Sequence, residues 1–167
     1  RDERVARRDD DQFGRRERVE HARRRRRRRL AVEADAVDLV LVPAGDGRAA
    51  GRVAAFLKLA ARQRLQGACE RYGGQVGRPF RKITLRDTRS RWGSCAADGS
   101  LMFSWRLIMA PAEVLDYVAA HEVAHLVEMN HAPEFWAVVS GLMPDYARHR
   151  RWIRTHGAGL HGYSFSD

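Results

Sequence analysis

The feature that most constrains this chain is the run His121-Glu122-Val123-Ala124-His125, which lies inside a pattern typical of a helix. Apolar residues recur there at three- and four-residue steps, as in an amphipathic helix, and Pro111 suits its first position; they are Val114, Leu115, Val118, Ala119 and Leu126. Histidines four positions apart lie on the same face of a helix. Two neutral imidazoles so placed can bind one zinc ion, each at roughly 2.0–2.1 Å.

Glu122 lies between the two histidines and is not needed as a ligand. A carboxylate beside the metal can accept a proton from a zinc-bound water, which leaves a hydroxide able to attack a carbonyl carbon. The motif therefore predicts a zinc-dependent hydrolase in which Glu122 is the general base.

A third histidine, His131, follows His125 by six residues. Six further residues of helix would turn the chain by about 600°, which places residue 131 on the wrong face. We therefore predict that the chain breaks first, at Asn130, which tolerates the left-handed conformation that ends helices. Random placement of these residue types gives only about 0.0006 matches to the full spacing, so we predict that His131 is the third ligand.

Two carboxylates are the alternatives for the third ligand. Glu128 lies on the same helical face as His121 but about 10 Å further along the axis, which is too far unless the helix ends early. Glu134 lies in the next predicted helix and is the more serious substitute. The remaining alternative is that the three histidines bind no metal.

Length and composition fit a single domain of 167 residues in which 44% of the residues are hydrophobic. We expect no transmembrane helix, because no run of 18 apolar residues occurs, and we see no signal peptide. Two cysteines, Cys69 and Cys95, are too few for a disulfide scaffold and favour a cytoplasmic location. Cys95 can in principle bind metal, but a buried thiol is the commoner case.

The positive charge is concentrated at the start of the chain. Residues 1–29 hold 14 arginines against seven acidic residues, including an unbroken run from Arg23 to Arg29. Such a block repels itself and has few apolar residues to bury, so we predict a disordered tail. It is either an arm that contacts nucleic acid or another polyanion, or a solvated extension.

The remaining pattern alternates strands and helices. We predict a strand at 37–42, a turn at 45–47, and a helix over 49–72 that ends at Gly73-Gly74. A strand at 82–87 follows, then a hairpin turn at Asp98-Gly99 and a strand at 101–105. Two helices after His131 begin at Pro133 and Pro144. The long helix carries an apolar stripe; its members are Val53, Phe56, Leu57, Ala60, Ala61, Leu65, Ala68 and Tyr72.

The segment from Ile83 to Trp152 resembles the YgjP-like zinc metallopeptidases, which are relatives of the SprT-type proteases. The pieces that carry the resemblance occur in the family's order; they are Arg91-Trp92-Gly93-Ser94-Cys95, Arg106-Leu107-Ile108 with Pro111, Asp116-Tyr117-Val118, the HEVAHL core, Asn130-His131, Phe135-Trp136 and Pro144-Asp145-Tyr146. One departure is Ser104, where the family commonly carries Asn.

The resemblance implies an α+β fold, a compact zincin-like domain with a small antiparallel sheet beside the metal-binding helix and further helices on the C-terminal side. We divide the chain into the Arg-rich tail 1–29, a metallopeptidase domain 30–157 with its metal-site core at 82–156, and a loose tail 158–167. The resemblance also implies His121, His125 and His131 as zinc ligands and Glu122 as catalytic base.

The expected activity is that of a zinc metalloendopeptidase with one Zn²⁺ per chain, acting on protein or peptide substrates. A second group should stabilise the oxyanion, with Tyr117, Arg89 and Arg91 as candidates beside Tyr146, which the motif match favours. By analogy with other zincins, the strand 101–105 offers a free edge for an extended peptide.

Two other functions compete with this interpretation. A YbeY-type zinc endoribonuclease spaces three histidines in the same way, but its motif lacks the base that Glu122 supplies. A non-catalytic module that binds zinc structurally and nucleic acid through the arginines would need a fourth protein ligand, and none is evident at a suitable spacing.

Overall fold

The structure, a computed structural model, describes residues 48–165. The predicted Arg-rich tail, the strand at 37–42 and the turn at 45–47 lie outside this range. The chain divides into two compact units, residues 1–53 with residue 167, and residues 54–166. Only residues 48–53 of the first unit are described, as the beginning of a long helix, and the site lies in the second unit.

The described part has an α+β fold, as expected. Four helices and three strands follow in chain order: α1 (Ala49–Val76), β1 (Lys82–Arg86), β2 (Gly93–Cys95), β3 (Ser100–Ser104), α2 (Ala112–Ala124), α3 (Pro133–Leu142) and α4 (Tyr146–His156). A 3₁₀ turn over Trp105–Met109 joins β3 to α2, and a second one follows α4 at Gly157–His161. None of the described helices is long and apolar enough to span a membrane.

Helix α1 buries a stripe of apolar side chains at three- and four-residue steps; its members in the second unit are Leu57, Ala61, Leu65, Ala68 and Tyr72. The expectation that Phe56 belongs to this stripe is wrong, because its side chain is 46% exposed. It precedes Leu57 by one position, and one residue turns a helix by about 100°, away from the packed face. The Arg62 guanidinium binds the Ile83 carbonyl at 2.7 Å and fastens α1 to β1.

Helix α1 ends at Val76, just before Gly77, and not at Gly73-Gly74 as predicted. Gly77 has a φ of +65°, and the N–H of Arg78 donates to the Gly73 carbonyl at 3.0 Å. With the bond from Gly77 N to Gly74 O, this is the pattern of a Schellman motif. The first two glycines have helical neighbours on both sides, so the chain continues as a helix until the residue that takes a positive φ.

The hairpin predicted at Asp98-Gly99 is present. Strand β2 runs antiparallel to β3 with Cys95 opposite Leu101, and the turn is closed by the bond from Gly99 N to Ala96 O at 2.9 Å. The Asp98 carboxylate accepts bonds from the backbone and hydroxyl of Ser100. These local bonds explain why the turn could be identified from two residues.

The sheet as a whole is mixed, which corrects the expectation of a small antiparallel sheet. The strand order is β1-β3-β2, and β1 pairs with β3 in parallel from Lys82↔Ser100 to Arg86↔Ser104. Residues 87–92 carry the chain across the end of β3, where Ser104 N donates to Trp92 O at 2.9 Å. Strand β3 is therefore central and has no free edge, so the peptide-pairing edge predicted at 101–105 does not exist there.

The C-terminal segment is held against the domain as far as Tyr163, where we expected a loose tail from residue 158. The Arg106 guanidinium donates to the carbonyls of Leu160 and Tyr163, at 3.0 and 2.9 Å. The ring of His161 stacks on Trp92 with centroids 4.9 Å apart. Bonds from a buried cation to main-chain carbonyls can anchor a segment of low helix propensity, a feature that composition does not reveal.

Ser104, the position that departs from the family pattern, lies at the end of the central strand. Its side chain is fully buried, and its hydroxyl has no hydrogen-bond partner among the described residues. The Asn that the family commonly carries at this position has a longer amide side chain, which offers more donors and acceptors than the Ser104 hydroxyl.

Candidate metal centre

Helix α2 presents the histidine pair at its C-terminal end. It ends at Ala124, with His125 as its cap, and the last turn tightens through bonds from Leu126 N to Val123 O and from Val127 N to Ala124 O. The helix is buried along most of its length; Ala119, Ala120, Val123 and Ala124 have no exposed surface. It packs against β2, the first 3₁₀ turn, α3 and α4, which fixes the direction of its histidines.

The helix ends at Ala124, six residues before Asn130, so the break predicted at Asn130 is misplaced. No described residue other than glycine has a positive φ. The side chain of Asn130 instead accepts a hydrogen bond from Ala132 N at 3.0 Å, which bends the chain around His131. Pro133 then begins α3 at its first position.

This turn brings His131 back to the pair on α2. One ring nitrogen from each of His121, His125 and His131 lies within 4.8 Å of the other two. The Nε2 atoms of His121 and His131 are 3.1 Å apart. The His125 side chain is buried and that of His131 exposed, so the cluster can be reached from one side.

Phe135 holds the three imidazoles in place. Its ring is fully buried and contacts all three, with centroid distances of 4.9 Å to His121, 4.4 Å to His125 and 4.7 Å to His131. An aromatic wall restricts the rotation of the rings and keeps water from one side of the cluster.

Burial favours the neutral form of His121 and His125. Burial, together with the neighbouring His125 and His131, lowers the pKa of His121 to about 3. Burial also lowers the pKa of His125. Metal ions bind the neutral imidazole, so this electrostatic environment favours a ligand role.

The donor set fits a zinc ion. The Nδ1 of His125 lies 2.9 Å from the Glu128 carbonyl. Since a carbonyl can only accept, Nδ1 carries the proton and Nε2 keeps its lone pair for a metal. Two nitrogens on one tetrahedral zinc are about 3.3 Å apart, close to the 3.1 Å between His121 and His131.

Glu122 follows His121 directly on α2, and only 5% of its surface is exposed. Burial raises the pKa of its carboxyl to about 8, and the positive charge of Arg91 partly opposes the shift. A cation at the histidines would favour the carboxylate form. A Cβ atom built at Gly93 on β2 would lie 2.5 Å from Glu122 Oε1, so the strand and the carboxylate are in direct contact.

The alternative ligands do not join the cluster. Glu128 contributes its main-chain carbonyl to His125, and neither its carboxylate nor that of Glu134 belongs to the group of potential ligand atoms. Cys95 is a free thiol with a pKa raised to about 11 by burial, and it too lies outside the group.

Three other histidines of the described residues, His149, His156 and His161, lie outside the cluster. His149 is buried and bonds Asp145 at 3.1 Å, and His161 stacks on Trp92. His156 is exposed and contacts the Trp152 carbonyl.

Of the candidates for oxyanion stabilisation, Tyr117 makes an edge contact with His121 at a centroid distance of 6.0 Å. Burial raises the pKa of Tyr117 to about 12, which keeps its hydroxyl protonated. Tyr146 stacks on Trp136 at 5.5 Å, and the Trp136 ring lies 5.8 Å from both His121 and His131.

The two arginine candidates are separated. Arg91 acts electrostatically on Glu122. Arg89 instead lines a cavity of about 420 Å³ with Lys58, Asp87, Arg106 and His161, and none of the three clustered histidines lines that cavity.

Three residues near the cluster were not assigned a role from the sequence. Gly93 and Phe135 were noticed only as parts of motifs, although a glycine inside a strand often marks close approach of another group. Arg150 belongs to α4. Its guanidinium lies over Trp136 at 4.4 Å and its charge contributes to the low pKa of His121; its position four residues after Tyr146, on the same helix face, was the available signal.

Comparison with known proteins gives a consistent result. The family described as "YgjP-like, metallopeptidase domain" matches residues 3–156 of this chain. The matched range includes the Arg-rich segment. The crystal structure of the metallopeptidase zymogen of Pyrococcus abyssi abylysin aligns with a TM-score of 0.50 and 18% identity, covering 55% of this chain and 92% of that one. No curated protein matches the sequence.

Proposed function

The chain belongs to the YgjP-like metallopeptidase family, and on that premise we propose that it is a zinc endopeptidase with one Zn²⁺ bound by His121, His125 and His131. The observation that carries the proposal is the cluster of three histidine nitrogens within 4.8 Å, with the buried carboxyl of Glu122 beside it. Zinc there would supply Lewis acidity that polarises the scissile carbonyl and acidifies a water molecule.

In this mechanism Glu122 accepts a proton from water and later delivers it to the leaving amine. Burial alone raises the pKa of this carboxyl to about 8, and a zinc ion at the histidines would favour the ionised form that accepts the proton. The charge of Arg91 favours the ionised form and so opposes complete protonation.

Tyr146 and Tyr117 are the proposed donors to the oxyanion. Tyr146 is held by its stack on Trp136, and the Arg150 guanidinium lies over the same indole ring, 4.4 Å from its centre. A neutral phenol that donates a hydrogen bond to developing negative charge lowers the barrier more than it stabilises the substrate.

A protein or peptide substrate would enter beside β2. Within residues 48–165, β2 pairs only with β3, on one of its edges, and it packs against α2. An extended peptide that paired with the other edge of β2 would pass Glu122 and continue on both sides of the bond to be cleaved. This supports cleavage of internal bonds, because neither end of the peptide needs to be recognised.

The proposal is tested by measuring zinc content and cleavage together. Purified protein should contain one zinc per chain and cleave a denatured protein and a fluorogenic peptide blocked at both ends. A chelator should abolish cleavage, and added zinc should restore it. Cleavage of RNA with no cleavage of either peptide substrate would instead support a ribonuclease of the YbeY type.

We further propose that the Arg-rich segment contacts a polyanion, on the ground of its seven consecutive arginines. Replacing Arg23–Arg29 by glutamine should weaken binding to a DNA duplex and reduce its dependence on salt, while peptidase activity is unchanged. Equal DNA affinity in the two proteins would contradict the proposal. The cytoplasmic location expected from the two cysteines stays a prediction.

A further inference from the structure

We propose that Gly93 is a positioning residue for the catalytic carboxylate: the absent side chain leaves the space that Glu122 occupies. The inference rests on the proposed function in so far as Glu122 is the base. A Cβ built at Gly93 would lie 2.5 Å from Oε1, 2.6 Å from Cγ and 2.8 Å from Cδ of Glu122. Real Cβ atoms essentially never approach another heavy atom so closely, so any side chain at this position forces a displacement.

Strand β2 is held in place by its pairing with β3. Gly93 pairs with Phe103 of the central strand, whose side chain is fully buried. The preceding carbonyl, that of Trp92, accepts a bond from Ser104 N at 2.9 Å. Moving β2 away from α2 would break this pairing and disturb the core beneath it.

The helix is equally fixed. Ala120 and Val123, which flank His121 and Glu122 in the helix, have no exposed surface. A shift of α2 would also move His121 and His125, whose rings are packed against Phe135. The displacement therefore falls on the side chain of Glu122.

Rotation of the carboxylate group alone does not remove the overlap. Turning about the Cγ–Cδ bond moves only the two oxygens, whereas Cγ and Cδ are themselves within 2.8 Å of the built Cβ. Relief requires a change in χ1, because rotation about χ2 leaves Cγ in place, and this change carries the carboxylate away from its present position. Misplacement of a catalytic group by about 1 Å can reduce the rate by on the order of a hundredfold.

The kinetic test compares Gly93→Ala with Gly67→Ala in the zinc-loaded protein. Gly67 lies on the exposed side of α1, and a Cβ there meets nothing within 4 Å. Gly93→Ala should lower kcat by about 10- to 100-fold with KM and zinc content unchanged, whereas Gly67→Ala should change neither kcat nor KM. A kcat for Gly93→Ala within twofold of wild type would overturn the inference.

The second test separates positioning from damage to the strand, and it does not depend on activity. Gly93→Ala is combined with Glu122→Ala, which removes Cγ, Cδ and the carboxylate from the overlapped space, and the thermal midpoint Tm of each zinc-loaded variant is measured. Gly93→Ala should lower Tm when Glu122 is present and leave it unchanged in the Glu122→Ala background. Equal losses in both backgrounds would overturn the inference, because they would place the strain elsewhere.

The two tests also distinguish this inference from the proposed function. If the wild-type protein cleaves no peptide, the proposed function fails, yet the Tm comparison still decides whether Gly93 sets the position of Glu122. If peptidase activity is present and the Tm losses are equal, the function stands and the positioning role fails.

Discussion

At the scale of single residues, the proposed mechanism depends on one buried carboxyl group, that of Glu122. Glu122→Gln keeps the shape of the side chain but cannot accept a proton, so we expect zinc content to be unchanged and kcat to fall by about 10²–10⁴-fold. Steady-state kinetics on the blocked peptide and metal analysis of the same sample measure both effects.

The matched control for this substitution is Glu113→Gln, which changes an exposed carboxylate in the first turn of the same helix. It should leave kcat unchanged. Turnover by Glu122→Gln at the wild-type rate would show that another group is the base.

The proposed third zinc ligand, His131, can also be tested by a single substitution. His131→Ala should weaken zinc binding by more than about tenfold, since even partners of ligands contribute that much, and should lower Tm because bound metal stabilises the folded protein. Zinc stoichiometry and affinity are measured for His131→Ala, Glu134→Ala and the exposed His156→Ala in parallel. Full zinc in His131→Ala, with loss in Glu134→Ala, would move the assignment to Glu134.

At the scale of elements, the end of α1 can be tested by stability measurements that do not depend on the catalytic site. Gly77 has a φ of +65° and open space around it, so Gly77→Ala adds only backbone strain. We expect the free energy of unfolding to fall by about 1–2 kcal/mol. Gly74 also has open space but lies within the helix, and Gly74→Ala should raise the free energy of unfolding by about 0.5–1 kcal/mol.

Denaturant unfolding of the two variants measures this difference. A lower free energy of unfolding for Gly77→Ala together with a higher one for Gly74→Ala would locate the helix end at Gly77. A loss of stability in Gly74→Ala as large as in Gly77→Ala would contradict the helix boundary.

At the scale of the whole molecule, Arg106 links three distant parts of the chain. Its guanidinium bonds the Asp87 carboxylate through Nε–Oδ1 at 2.6 Å and Nη2–Oδ2 at 3.1 Å, and it donates to the C-terminal carbonyls of Leu160 and Tyr163. The bonds from Arg106 hold the pKa of Asp87 below its usual value of 3.8.

This link predicts a dependence of stability on pH. A carboxyl whose pKa is lower in the folded state stabilises the fold above its unfolded pKa of about 3.9, and the contribution is lost as the pH falls through the folded value. Asp87→Asn should therefore be less stable than wild type at pH 7. Because Asp87 is 47% exposed but Arg106 is buried, we expect a difference of about 1–3 kcal/mol.

Unfolding of both proteins between pH 7 and pH 2 measures the effect. The difference between them should shrink below about pH 4, whereas any difference between Glu113→Gln and wild type reports only the removal of an exposed charge. A difference that is constant over the whole range would show that the Asp87 charge does not stabilise the fold.

The sequence by itself determined the features that depend on neighbours along the chain. Residues four apart on a helix share a face whatever packs around them, so His121 and His125 could be paired from their spacing. The hairpin at Asp98-Gly99 followed from side chains that bond their own backbone. The return of His131 to the pair was predicted because a continuous helix would have made it impossible, although the break was placed six residues too late.

Only the tertiary structure decided which distant segments meet. The parallel pairing of β1 with β3 brings together residues 18 positions apart, and alternation of apolar residues contains no information on strand direction. The contact of Gly93 with Glu122, the ring of Phe135 against three imidazoles and the position of Arg150 over Trp136 arise in the same way. Each requires two elements to approach within a few ångströms, and that approach is set by the packing of the whole core.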